Sequence, residues 1–346
     1  MIDDKLKNMY DDLFVSSENE PGKDDLDKIE QKLSEIFDVN ASGAGTGSNG
    51  SQENTERKQM QKSETAVQNQ EQAQEPETDP MEELDGLIGL QAIKHDVKEL
   101  IAFVKVQKLR EESGLKSAPV SLHLVFTGNP GTGKTTVARI IARLYKQIGV
   151  LSKGQLVEVD RSGLVAGYVG QTALKTQKKI EEAMGGILFI DEAYALAKEG
   201  NDYGQEAVDT ILKAMEDNRS DFVVIVAGYT EPMQQFIESN PGLKSRFNKY
   251  IEFADYTMEE LTGIFKSFCD KYDYIIDEEN LARVTELLRI KRTETLENFA
   301  NAREVRNLFE KIITNQARRV NAMEHPSLED MKTLIYEDLF DEENEE

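Results

Sequence analysis

The chain has 346 residues, enough for two domains or for one large domain with extensions. Hydrophobic residues make up 39% and charged residues 31%, so a globular core can form, and no apolar run reaches the roughly 20 residues that a membrane span needs. The net charge of −24 is uneven: residues 1–80 hold 19 acids and 8 bases, residues 336–346 hold 7 acids and no base, and residues 81–335 hold 39 acids against 33 bases. The acidity therefore sits mostly in the tails, which weighs against a nucleic-acid partner, since a phosphate backbone calls for a basic face.

Cys269 is the single cysteine, so no intrachain disulfide forms, and its place in a helical pattern reads as a small core residue. His95, His123 and His325 are scattered, with no metal-ligand spacing. The first residues are acidic and carry no apolar signal segment, so a cytoplasmic location is the expectation.

Residues 1–39 read either as short amphipathic helices, with Leu26, Ile29, Leu33 and Ile36 at helical spacing, or as a frayed acidic extension. Residues 40–80 open on a Gly/Ser-rich run and continue Gln- and Glu-rich with almost no large apolar side chains. That composition predicts a flexible, disordered linker. An α/β domain is expected over 81–255. Gly86 to Gly89 precede a long helical pattern from Gln91 to Glu112. Apolar runs follow at 122–126, 156–159, 187–190, 222–227 and 250–253, alternating with helical periods. Such alternation implies a five-stranded parallel sheet with helices on both faces. From Thr257 helical periods cover 257–273, 278–291, 302–320 and 327–340, predicting an all-α domain over 256–340 and an acidic tail over 341–346.

Two stretches carry the chemistry. Gly128-Asn-Pro-Gly-Thr-Gly-Lys-Thr135 fits the phosphate-binding P-loop, between an apolar strand and a helix from Lys134 to Gln147 whose Val137, Ile140, Ile141 and Leu144 share one face. The backbone of Asn129, Pro130, Gly131, Thr132 and Gly133 is expected to curl around phosphate oxygens, and Thr136, in the first turn of the helix, joins the nucleotide-binding set. Lys134 supplies a point charge for the β- and γ-phosphates, and the Thr135 hydroxyl a ligand for Mg2+. The second stretch is Ile187-Leu-Phe-Ile-Asp191-Glu192, a buried strand delivering two acids at its carboxyl end, where ligands sit in open α/β sheets. Asp191 is placed to hold Mg2+, and Glu192 to polarise a water for attack on the γ-phosphate.

Together with the helical domain after the fifth strand, these motifs resemble the AAA+ ATPases. Further stretches are similar to the CbbX/stage V sporulation protein K branch: Leu151–Gly154, Gly167–Gly170, Gly185–Tyr194, Ala227–Tyr229, Asn240–Arg246 and Asn301–Asn307. The likeness covers about residues 82–325, in order, and leaves the tails outside. It implies an ATP-hydrolysing P-loop module with a helical lid. By that resemblance Ile88 and Gly89 recognise the adenine edge, Arg246 is an arginine finger reaching a neighbouring subunit, and Arg303 is the lid's sensor of phosphate, with Arg306 the alternative one turn on. Tyr168, Val169 and Gly170 match a pore loop that grips a polypeptide, and the polar stretch Lys198–Gly204 is a second channel loop. Where relatives place an Asn or Thr to orient water, this chain has Tyr229 and Thr230. The resemblance thus implies a homo-oligomeric, hexameric ring that remodels a protein client. Rival readings are a nucleic-acid-associated loader of the same family and a small-molecule P-loop kinase. The acidic core and the aromatic pore tripeptide stand against the first, and the helical domain and Arg246 against the second.

Overall fold

A parallel sheet forms where the apolar runs predict one. The structure, a computed structural model, describes residues 78–116, 121–168, 170–197, 203–295 and 299–340. The expectations for 1–77, for Val169, for 198–202 and for the tail 341–346 lie outside the described residues.

Helix α1 (Pro80–Gly86) starts on Asp79, whose carboxylate accepts from Met81 N at 2.9 Å, with Pro80 in the first turn where no backbone N–H is needed. Helix α2 spans Gln91–Glu112. Then come β1 (Leu124–Gly128), α3 (Lys134–Gln147), β2 (Leu156–Val159), the short α4 (Arg161–Leu164), α5 (Gln171–Ala183) and β3 (Ile187–Ile190). A 3-10 turn (Ala193–Ala197), α6 (Gly204–Asp217), β4 (Val223–Gly228), α7 (Thr230–Glu238), α8 (Pro241–Arg246) and β5 (Lys249–Phe253) complete the α/β part.

The strand order is β2-β3-β4-β1-β5, and every neighbouring pair is parallel. Because side chains alternate along a strand, each strand feeds two cores. Leu124, Phe126, Ile187, Phe189, Val223 and Ile225 pack on the side of α2 and α3, where Phe126 and Phe253 meet at 5.0 Å between ring centres. Val125, Leu188, Ile190, Val224 and Val226 pack on the side of α5 to α8. The order also decides what the carboxyl ends bring together. The ends of β3, β4, β1 and β5 stand side by side, so Asp191, Tyr229, the P-loop and Asp255 share one edge. Adjacent strands lie about 4.8 Å apart, which puts β3 and β1, with β4 between them, roughly 10 Å apart.

The lid comprises α9 (Met258–Lys271), α10 (Glu278–Glu294), α11 (Ala302–Asn321) and the short α12 (Leu328–Lys332). Helix α9 opens on a capping box in which Thr257 and Glu260 satisfy each other's backbone N–H groups. Phe309 collects Phe265, Phe268, Tyr272 and Tyr274 around one ring, each centre within 6 Å: 5.7, 5.7, 5.9 and 5.7 Å. Cys269 is buried in the same core, as expected, and burial pushes its thiol up to about 11, which makes it a poor nucleophile.

The helix expected over 327–340 stops at Lys332. Thr333–Leu334 (β7) instead pairs in parallel with Ile275–Ile276 (β6), and a 3-10 turn follows at Tyr336–Leu339. Two long-range contacts beat the local helical pattern here. Leu334 is fully buried, and Asp338, 1% exposed, takes a forked pair of bonds from Arg319 at 2.8 and 3.0 Å.

A candidate nucleotide site at the carboxyl edge of the sheet

The loop between β1 and α3 turns through glycines at positive φ, and two of them are required by close approach. A Cβ on Gly128 would lie 2.2 Å from the Phe253 carbonyl oxygen, and one on Gly131 would lie 2.0 Å from that of Ala300. The P-loop is therefore wedged between the end of β5 and the first turn of lid helix α11. Lys134 Nζ donates to the loop's own carbonyls, Gly128 O at 2.9 Å and Asn129 O at 2.7 Å. Thr132 is buried, and its hydroxyl donates to Asn129 O at 2.8 Å, tightening the same turn.

Lys134 is also where the predicted site residues converge. Burial lowers its pKa; Asp191 opposes that shift, Arg303 adds to it, and Asp255 opposes it. Strand β3, two strands away, delivers Asp191, and the lid delivers Arg303. Arg306 instead lies over the Phe268 ring at 5.8 Å, on the lid's own aromatic core. Asp191 Oδ1 accepts from Glu192 N at 3.0 Å. Glu192 sits at φ +49°, a left-handed conformation that costs a side-chain-bearing residue about 1–3 kcal/mol and that gathers at functional sites. Its side chain is exposed at the edge of the site.

Tyr229 caps the start of α7, with Thr230 as that helix's first residue, and both lie at the end of β4 between Glu192 and the P-loop. The Tyr229 ring is tilted against Tyr194 at 6.2 Å between centres. Tyr194 had no role in the sequence reading. Its ring lies so close to Gly228 that a Cβ there would meet it at 2.8 Å. Burial, then the charges of Glu192 and Asp191 and the neighbouring Tyr229, push its hydroxyl up to about 12, so it stays a donor beside the two acids. Its position three residues past Asp191 was the available signal.

Ile88 and Gly89 form the turn into α2. Gly89 at φ +64° faces Glu260 of α9, and Ile88 lies against Gly263 of the same helix. Lys94, 7% exposed, fixes that turn by donating to Asp85 O at 3.0 Å and Leu87 O at 2.5 Å. Tyr168 projects from the loop before α5 and is 74% exposed, with Gly170 at φ +74° behind it.

Arg246 is not part of this assembly. It ends α8, its backbone oxygen accepts from Ser121 Oγ at 2.5 Å, and its guanidinium pairs with Glu216 Oε2 at 2.9 Å. Ser121 precedes β1 at the amino edge of the sheet, about 20 Å of extended chain from the P-loop. There Arg246 lines a cavity of about 740 Å³ together with His123, Arg219 and Lys108.

His123 Nδ1 accepts from Val224 N at 3.0 Å, which requires the neutral ring. Burial, then Arg246 and Arg219, lower its pKa from 6.5 to about 4. Between those values the unfolded chain holds the extra proton, so the stability that His123 contributes is complete above 6.5 and is lost as pH falls toward about 4. Urea unfolding should show about 2 kcal/mol lost between pH 7 and pH 5 from this group. His123→Gln keeps an acceptor for Val224 and does not titrate, so its pH dependence should be flatter by that amount. Equal slopes in the two proteins would remove His123 from the account.

A phosphate loop, a strand-end acid pair and a helical lid closing on the loop define an ATP-hydrolysing P-loop module. The family model for the AAA ATPases associated with various cellular activities matches residues 124–255, and that for the AAA lid domain matches 257–346. Stage V sporulation protein K of Bacillus subtilis (strain 168) is 44% identical over 259 residues, 74% of this chain and 80% of that protein. Protein CbbX of Cereibacter sphaeroides is 45% identical over 243 residues, 69% of this chain and 78% of that protein. The chloroplastic ribulose bisphosphate carboxylase/oxygenase activase of Cyanidioschyzon merolae is 44% identical over 257 residues, 73% and 87% of the two chains. The FIGL-1 AAA domain shares the fold, with a TM-score of 0.52 and 19% identity over 74% of this chain and 80% of that one. The chain belongs to the AAA+ ATPases of the CbbX/stage V sporulation protein K type, and it binds and hydrolyses ATP.

Proposed function

We propose that the chain works as a hexameric ring in the cytoplasm that spends ATP on remodelling a protein client. The observation that carries the ring is the place of Arg246. It stands at the amino edge of the sheet, too far from its own P-loop to serve it, with 28% of its side chain exposed beside an open cavity. A finger supplied to a neighbour requires an oligomer. Tyr168 and Gly170, with the intervening Val169, supply the grip on the client.

In this reading Thr135 and Asp191 are the residues that would hold Mg2+. The donors are hard oxygens, and among the described residues no cluster of three or more acids, histidines or cysteines forms a dedicated cage. Mg2+ at P-loops takes one or two protein oxygens and completes its shell with phosphate and water, so the sparse set fits. When bound there, Mg2+ would supply positive charge to neutralise the phosphates. Lys134 and the loop N–H groups hold the phosphates, Glu192 accepts a proton from the attacking water, and Arg246 of one copy and Arg303 of the other meet the charge that develops. No helix among the described residues is long and apolar enough to cross a membrane.

The full chain carrying Glu192→Gln should sediment with ATP as a six-copy ring and retain a cellular protein. The same chain with Tyr168→Ala added should form the ring and retain nothing. Equal retention by both variants would remove Tyr168 from the client path, and ATP turnover stimulated by DNA but by no protein would move the reading to a nucleic-acid partner.

A further inference from the structure

Asn301 is fully buried, at φ +46° and ψ −123°, a conformation that side-chain-bearing residues rarely take. Its amide is committed on both sides. Oδ1 accepts from Tyr256 N at 3.1 Å, while Nδ2 donates to Asp255 Oδ1 at 2.8 Å and reaches Pro130 O and Phe299 O, both at 3.3 Å. The Asp255 carboxylate also receives Asn129 Nδ2, at 3.0 and 3.1 Å. Beside this network Ala302 N donates to Gly131 O at 3.1 Å, and Tyr256 donates its hydroxyl to Thr132 O at 3.3 Å. Three segments far apart in sequence thus share one set of bonds: the P-loop, the strand-to-lid linker and the first turn of α11. Arg303 lies on that same turn, two residues past Asn301.

We propose that Asn301 and Asp255 form a latch that makes the phosphate loop and the Arg303-bearing turn of α11 move as one body, and that product ADP leaves only when the latch opens. Asn301 is a positioning residue in this scheme; it acts through the loop and through Arg303. The chemistry fits the residue type. Asn is among the side chains found most often at positive φ, and its amide offers donor and acceptor to two segments at once. The strained φ is held by these bonds, so breaking them releases the turn as well as the loop. The latch depends on the nucleotide site and its lid, and on neither the ring nor the client.

Asn301→Gly isolates the amide, because glycine takes the same φ and ψ without strain. Release of N-methylanthraniloyl-ADP from the full chain, followed by stopped-flow fluorescence, should be about tenfold faster in this variant. Asn129→Ala cuts the same network at its outer edge and should also speed release. The two changes together should fall short of the product of their separate effects, as coupled residues do. Wild-type release from folded Asn301→Gly overturns the latch, and so do effects that multiply in full. If Asn301→Gly fails to fold, Asn129→Ala decides: wild-type release there overturns the proposal. A lower unfolding midpoint with unchanged release rates assigns Asn301 to structure alone and equally overturns it.

Discussion

Glu192→Gln should cut steady-state phosphate release by about 10²–10⁴-fold while ATP still binds. The change is isosteric, so the left-handed backbone at φ +49° carries the same cost in both proteins. What disappears is the ability to accept a proton, since an amide oxygen is a far weaker base than a carboxylate. In the proposed site the phosphates are held by other groups, Lys134 and the P-loop backbone, so a fluorescent ATP analogue should titrate with nearly the wild-type curve. Phosphate release at more than a tenth of the wild-type rate would shift proton transfer to another group. Asp191 and water chains through Tyr194 would then be the candidates, because both lie at the same strand end.

Arg246→Ala should be nearly as damaging, with a fall of about 10³-fold or more in turnover, because a finger that neutralises the transferring phosphoryl group is worth that much in comparable sites. The distinguishing experiment is mixing. Alone, Arg246→Ala and Glu192→Gln chains should each turn over ATP at least about a hundredfold more slowly than the wild type. In a mixture, some sites combine an intact Glu192 from one copy with an intact Arg246 from its neighbour. Random assembly makes these roughly a quarter of all sites, so a comparable share of activity should return. A mixture that stays silent, with ring assembly intact by sedimentation, would confine Arg246 to its contact with Glu216 and end its assignment as a finger. The substitution leaves the core alone, since the guanidinium lines the cavity and, among the described residues, bonds Glu216 and Gly242 O.

The sheet was legible because its signal is local. Each apolar run became a strand within a residue or two, and the runs are apolar throughout because both faces of a parallel sheet are covered. Helices α2 and α3 match the expected Gln91–Glu112 and Lys134–Gln147 for the same reason. The failure over 327–340 has the opposite cause. Leu328, Met331, Ile335 and Leu339 repeat as a helix would, yet β7 is set by Ile275–Ile276, more than fifty residues earlier. At the site, Lys134, Asp191 and Glu192 stood out because their chemistry is written in short motifs. Asp255, Asn301 and Tyr194 did not, because their partners come from other segments. Asn301 opens the family-like stretch Asn301–Asn307, but only the fold shows it bonded to Asp255 and Pro130. The choice between Arg303 and Arg306 is equally tertiary: one turn of helix separates a residue facing Lys134 from one packed on Phe268.

On the ribosome, the contact between Pro130 and Asn301 has to wait, since 171 residues separate them. At about 5–20 residues per second, that interval lasts roughly ten to thirty seconds. Over the last part of it, after Phe253 and for roughly two to ten seconds, the strands through β5 are already synthesised, while the loop between β1 and α3 lacks the turn against which Gly131 packs. The nascent chain therefore carries a nearly complete nucleotide-binding core whose phosphate loop has its internal bonds but lacks its contacts with the lid. Until the second half of the lid emerges, the loop meets neither the Arg303-bearing turn nor the buried Asn301 amide, so this part of the site is the last to be assembled.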